Sequence, residues 1–164
     1  MTYSEPQPFT INKPAKTDDD YLRSVCVHEC AHAAACRKVG GYGLPEVWPN
    51  QDGIVENRPW AGHCAYPGVV RDRDLRLIGL AGSVAEMIFV EKMDEGDVII
   101  DFYNGEVELS DTDAKMAAKF TERDVKKCVK LIIEMRQEIL QEAELLFASA
   151  KAYYIDEDLE GVMK

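Results

Sequence analysis

The 164-residue sequence lacks the long apolar runs that mark membrane and secreted proteins. No such run approaches the roughly 20 residues that a membrane-spanning helix needs. The N-terminus also lacks the basic region and following apolar stretch of a secretion signal. The sequence therefore predicts a soluble, unsecreted protein that does not insert into a membrane, and we expect it in the cytoplasm.

Excess positive charge is absent as well. Lys and Arg total 19 against 30 Asp and Glu, which gives a net charge of -11. A protein of this sign repels phosphate backbones, so nucleic acid is not an expected partner. The five cysteines have no framework spacing, which favours reduced thiols over a disulfide scaffold. The phosphate-binding motif G-x-x-x-x-G-K-[ST] does not occur either.

The composition that remains is that of one globular domain. A hydrophobic content of 46% is enough for a single sizeable core. Residues 1–16 contain three prolines, which predicts an extended or disordered N-terminal arm. Residues 17–164 are predicted to form the domain.

The domain is predicted to be mostly helical. Apolar residues recur at intervals of three and four, and spacings typical of capping boxes mark helix starts. The predicted helices span residues 18–39, 72–92, 110–120 and 122–154. Residues 93–109 are predicted to be irregular. Between the first two helices, prolines and glycines punctuate short segments, which predicts strands at residues 53–57 and 60–66. The expected fold class is α+β, predominantly helical, with a small sheet beside the first helix.

The strongest chemical signal is the motif H-E-x-x-H at residues 28–32, in the middle of the first predicted helix. A turn of 100° per residue leaves the imidazoles of His28 and His32 only about 40° apart, so both can reach one metal ion. Catalytic zinc sites use three protein ligands and leave one position to water. Glu29 lies about 60° from His32 and can act as the general base. The motif therefore predicts zinc-dependent hydrolysis of peptide bonds.

A metal-free helical module, in which the two histidines make ordinary hydrogen bonds, is an alternative interpretation of the same motif. Apolar residues surround the motif, and a buried Glu29 between two buried histidines is costly without a metal or a complete hydrogen-bond network. Cys26 and Cys30 project about 160° or more away from His28 on the helix, so they are not expected to bind the same ion. We therefore favour the metal site.

The third zinc ligand cannot be chosen by spacing. The extended metzincin motif needs a histidine at position 38, and that residue is Lys38. Glu86, Asp111, Asp113 and His63 are the candidates elsewhere in the sequence. His63 could instead donate a hydrogen bond to a developing oxyanion.

Four segments resemble the peptidase domain of FtsH-type zinc proteases. The H-E-C-A-H-A of residues 28–33 resembles the family's H-E-A-G-H-A, and residues 80–89 are similar to its G-G-R-A-A-E-E-I-I-F helix. Residues 61–66 look like the strand beside the active site in that family. Residues 112–117 resemble its N-D-L-x-x-A segment. The resemblance covers roughly residues 20–164.

The resemblance implies a zincin-like metallopeptidase domain. It implies Asp113 as the third zinc ligand beside His28 and His32, with Glu29 as the catalytic base. The implied substrate is an extended or unfolded polypeptide that pairs with the strand. Family members couple this domain to an ATPase and a membrane anchor. Because this sequence has neither the phosphate-binding motif nor a membrane-spanning run, we expect a peptidase domain standing alone, with a separate ATPase or a homo-oligomer as a possible partner. The alternative is a catalytically silent zinc-binding interaction protein.

Two acidic residues have competing roles. The spacing of Asp113 from Ser110 is that of a capping box, in which the Asp113 carboxylate would bond the backbone at Ser110 instead of a metal. Glu86 could orient a ligating histidine through the ring's second nitrogen, or it could be a helix-surface charge.

Overall fold

The computed structural model describes residues 16–50, 58–69 and 71–156. In these ranges the chain forms six α-helices and one two-stranded sheet. In chain order the elements are α1 (Lys16–Lys38), β1 (Leu44–Pro49), β2 (Trp60–Ala65), α2 (Asp72–Ala85), α3 (Glu95–Asn104), α4 (Asp111–Met116), α5 (Glu122–Glu134) and α6 (Arg136–Lys151). Two π-turns, Glu86–Val90 and Ala152–Asp156, extend α2 and α6. The prediction of a predominantly helical α+β fold with a small sheet is confirmed.

Helix α1 lies at the centre of the fold and packs against α2, α6 and both strands. Much of its surface is made of small side chains, which allow neighbouring elements to approach its backbone closely. Seven of these are fully buried, namely Cys26, Cys30, Ala31, Ala33, Ala34, Ala35 and Cys36. As a result, the polar residues in the middle of α1 are held inside the fold. Of the helices in the described part of the chain, none has both the length and the apolarity needed to cross a bilayer.

The two strands pair antiparallel, with Leu44 opposite Ala65 and Pro49 opposite Trp60. The strand predicted at residues 60–66 therefore exists and ends one residue earlier. Its partner is β1, which directly follows the turn after α1. The strand predicted at residues 53–57 lies outside the described residues, as do residues 1–15 of the predicted arm.

The irregular segment predicted at residues 93–109 is wrong, because α3 occupies most of it. The Asp94 side chain accepts a hydrogen bond from the Asp97 N–H and caps the helix start. Gly105 ends the helix in the left-handed conformation, with φ of 71°. Val98 and Phe102 face the core. The cap and the terminal glycine were readable in the sequence, but the acidic residues around them concealed the short apolar face.

The continuous helix predicted at residues 122–154 is also wrong. It is interrupted at Met135, where φ is -95° and ψ is 10°, so α5 and α6 are separate helices. Helix α5 packs against α2 and α3, whereas α6 packs against α1. The apolar residues of α5 and those of α6 therefore pack against different neighbouring helices. Helix α4 is shorter than predicted as well, because it ends at Met116 rather than near residue 120.

Candidate metal centre

The structure brings together the three predicted metal ligands. His28 and His32 lie one turn apart on α1, and Asp113 reaches them from α4. The distance from His28 Nε2 to Asp113 Oδ2 is 3.2 Å, and that from His32 Nε2 to Asp113 Oδ1 is also 3.2 Å. One potential ligand atom from each residue lies within 4.8 Å of the other two. Among the described residues, these three side chains form the one group with this geometry.

The spacing of these atoms fits a tetrahedral zinc ion. Zinc bonds of roughly 2.0–2.1 Å at tetrahedral angles place ligand atoms about 3.3 Å apart. Each histidine Nε2 lies 3.2 Å from a different oxygen of the Asp113 carboxylate, and each of these separations is close to this value. Two imidazoles and one carboxylate are also a donor set that zinc uses in catalytic sites, with a fourth position left open.

Both imidazoles are held by their Nδ1 atoms. His32 Nδ1 lies 2.6 Å from the carbonyl oxygen of Ile78, which can only accept, so Nδ1 carries the proton of the neutral ring. His28 Nδ1 lies 2.8 Å from Glu86 Oε2. These contacts leave both Nε2 atoms directed toward Asp113. They are the kind of outer contact that fixes the tautomer of a ligating histidine.

Asp113 does not form the reciprocal half of a capping box. Its backbone N–H donates to Ser110 Oγ at 3.1 Å, so Ser110 caps α4 as predicted. The Asp113 carboxylate turns instead toward the two histidines. The residue is only 4% exposed. The Asp113 carboxylate is thus placed to bind a metal ion together with the histidines, while the Asp113 N–H takes part in the helix cap.

The other candidate ligands lie elsewhere. Asp111 is exposed on α4, and His63 is exposed on β2, opposite Glu46. Neither of them joins the three-residue group.

Cys26 and Cys30 are buried free thiols outside the three-residue group, and burial raises the pKa of the Cys26 thiol to about 12. Glu86 contacts the nitrogen of His28 that faces away from the group.

Glu29 is buried beneath β2, with 6% of its surface exposed. A Cβ atom at Gly62 would lie 2.6 Å from Glu29 Cγ and 2.7 Å from Glu29 Oε1, so only glycine lets the strand pass this close. Burial raises the pKa of Glu29 above its ordinary value, while nearby His28 and His32 act in the opposite direction. A raised pKa brings a carboxylate nearer to the range that suits proton transfer at neutral pH.

Metal-free, the centre is an array of charged hydrogen bonds. Burial acts to lower the pKa of His28, but hydrogen bonds with Asp113 and Glu86 raise it to about 10. Burial acts to raise the pKa of Asp113, but its hydrogen bonds with His28 and His32 hold it well below the usual range. The proton between His28 Nε2 and the Asp113 carboxylate thus lies where a metal cation would contact the same carboxylate. A divalent ion suits this arrangement because it neutralises negative charge while replacing that proton.

Two glycines that were not predicted as site residues shape the site, Gly62 on β2 and Gly82 on α2. A Cβ atom at Gly82 would fall 2.4 Å from His28 Nε2. Glycine inside a helix costs about 1 kcal/mol relative to alanine, so its presence usually has a packing reason. Glycine inside a strand often marks a close approach. Those two signals were available, but the residues each glycine accommodates could not be inferred from them.

No protein-family model matches this chain, and a search of curated proteins found no match. The likeness to FtsH-type peptidases therefore rests on the motifs described above.

Proposed function

We propose that the protein is a zinc-dependent metallopeptidase that hydrolyses peptide bonds of extended or unfolded polypeptides. The observation that carries the proposal is the convergence of His28, His32 and Asp113 at zinc-ligand spacing beside the buried carboxylate of Glu29. A zinc ion held there supplies Lewis acidity, which makes water nucleophilic near neutral pH and polarises a substrate carbonyl group. The zincin-like fold is part of this proposal.

Glu29 is the general base in this mechanism. One of its carboxylate oxygens accepts a proton from the attacking water, and the same group then donates that proton to the nitrogen of the departing amine. Burial raises the pKa of Glu29, which makes its carboxylate a stronger base than that of an ordinary glutamate and so supports both steps. The cover provided by β2 at Gly62 keeps bulk water away from this carboxylate.

The outer edge of β2 supports pairing with an extended substrate. The Asn50 N–H donates to the Pro59 carbonyl at 2.8 Å, which identifies the hydrogen-bonded positions of the antiparallel ladder. By alternation, the backbone groups of Trp60, Gly62 and Cys64 point away from β1. Among the described residues, no backbone hydrogen bond outside the sheet reaches these groups. An extended polypeptide that pairs there passes Glu29 at Gly62.

The opposite edge of the sheet is protected against the same kind of pairing. Pro45 and Pro49 occupy the β1 positions whose N–H groups would point outward, and proline has no N–H. Val47 is left as the one outward N–H donor within β1. Strand addition is therefore directed to β2, which is the strand that lies against Glu29.

A catalytically silent zinc-binding protein is the second candidate. The deep burial of His32 and Asp113, at 3% and 4% exposure, favours it, since structural zinc sites are closed. Under either function, a separate ATPase or a homo-oligomer as partner remains a prediction from the resemblance.

Zinc content and cleavage, measured for the wild type and for Glu29→Gln, separate the two candidates. The wild-type protein should bind one zinc per chain. It should also cleave an unfolded test protein, such as a disulfide-containing protein whose cysteines have been reduced and alkylated so that it cannot refold. Glu29→Gln should lose at least 100-fold in cleavage rate, because the general base is removed, while elemental analysis finds unchanged zinc. Glu134→Gln, the same change at an exposed position on α5, is the control. Stoichiometric zinc without cleavage by the wild type would favour the silent protein.

A further inference from the structure

Glu86 makes hydrogen bonds through its backbone carbonyl and through both oxygens of its carboxylate. It opens the π-turn at the end of α2, where the Glu91 N–H donates to the Glu86 carbonyl at 3.0 Å. Each carboxylate oxygen has its own partner. Oε2 lies 2.8 Å from His28 Nδ1, and Oε1 accepts a hydrogen bond of 2.6 Å from Ser24 Oγ.

Ser24 lies one turn before His28 on α1, so both side chains project from the same face of the helix. The Glu86 carboxylate spans them from α2. Its side chain is 30% exposed, so water competes for its oxygens and leaves it free to rotate unless a second contact holds it. A short hydrogen bond to a charged acceptor is among the stronger kinds in proteins. The Ser24 hydroxyl supplies that contact on the oxygen that His28 does not use.

We propose that Ser24 is a positioning residue for the metal centre, whose hydroxyl orients the Glu86 carboxylate and, through it, the His28 ring. Ser24 therefore sets the affinity for zinc without touching the ion. The inference rests on the zinc site of the proposed function and is independent of peptide hydrolysis. Removing a carboxylate that is hydrogen-bonded to a ligating histidine, as Glu86 is to His28, typically changes metal affinity by about 10- to 100-fold. Ser24 acts one contact further out, so we expect its effect at the lower end of this range.

A double-mutant cycle on the full chain tests this role, with zinc affinity measured by competition against a chromogenic chelator. Ser24→Ala should weaken zinc binding by about tenfold, and Glu86→Ala by the same factor or more. The double variant should bind zinc no more weakly than Glu86→Ala alone, because Ser24 acts only through Glu86. Ser149→Ala, at an exposed position on α6, should leave the affinity unchanged.

A second pair of variants separates the hydroxyl from the space it fills. Ser24→Thr keeps the hydroxyl and Ser24→Val replaces it with a methyl group of similar shape. Ser24→Thr should retain wild-type affinity and the wild-type absorption spectrum of the cobalt-substituted protein. Ser24→Val should resemble Ser24→Ala in both measurements.

Three results would overturn the role of Ser24. These are unchanged affinity in Ser24→Ala, an equal loss from Ser24→Ala with and without Glu86, and equal behaviour of the Thr and Val variants. Each of them leaves the peptidase proposal standing. If the wild type binds no zinc at all, both proposals fall.

Discussion

At the scale of single residues, His28 is the most constrained side chain of the site. Its two ring nitrogens face two carboxylates, Glu86 and Asp113. These contacts outweigh burial and raise the pKa of His28 to about 10 in the metal-free protein. At neutral pH the ring is therefore charged. Zinc requires the neutral ring, so it must displace this proton.

Zinc binding at pH 7.5 should release about one proton from His28. Affinity should rise with pH, by up to about tenfold per unit, and level off only near pH 10, where the metal-free ring is already neutral. An ordinary histidine, with a pKa of about 6.5, would level off near neutrality. Titration calorimetry in two buffers of different ionisation enthalpy measures the released protons. Affinity that is constant above pH 7 would contradict the raised pKa.

At the scale of elements, α4 is the least self-sufficient part of the site. It has six residues, from Asp111 to Met116, and helices of this length are unstable alone. It packs against α2 and is capped by Ser110. Because α4 carries Asp113, the stability of one short helix determines how firmly the proposed third ligand is held.

Loss of the Ser110 cap should therefore weaken zinc binding. Ser110→Ala should lower the free energy of unfolding by about 1 kcal/mol and reduce zinc affinity several-fold, because α4 frays where it carries Asp113. Thr121→Ala is the matched control, since Thr121 caps α5 through Asp124 and leaves Asp113 untouched. It should cost a similar free energy in urea unfolding without changing affinity. Equal losses of affinity in both variants would contradict the special role of the α4 cap.

At the scale of the whole molecule, the candidate metal centre joins distant parts of the chain. His28 and Asp113 are 85 positions apart in sequence, and they meet because α1 and α4 both pack against α2. Such a site exists only in the folded protein. Binding at the site must therefore stabilise the whole fold, because the unfolded chain does not hold the ligands together.

Zinc at about 100 times its dissociation constant should raise the free energy of unfolding by about 2.7 kcal/mol. For a chain of this size, that corresponds to an increase in melting temperature of roughly 5–10 °C. Calorimetry with and without a chelator measures this difference. In His32→Ala the increase should vanish, since one of the three ligands is lost. An undiminished increase in that variant would place the stabilising ion elsewhere.

Much of this architecture is readable from local sequence. The spacing of H-E-x-x-H on a helix puts His28 and His32 on one face, and Ser110 and Thr121 act as helix caps. These features depend on residues within one or two turns of each other, where backbone periodicity determines geometry. The class of the fold follows from the same periodicities.

The tertiary structure alone decided how the separate pieces meet. Asp113 could have served the Ser110 cap, and only the packing of α4 on α2 turned its carboxylate to the histidines. The break at Met135 has neither proline nor glycine at that position, and it arises because α5 and α6 pack against different neighbours. The fit of Gly62 over Glu29 likewise requires two elements distant in sequence. Local periodicity determines which face of a helix is apolar. Which other element packs against that face depends on how the whole chain buries its apolar surface.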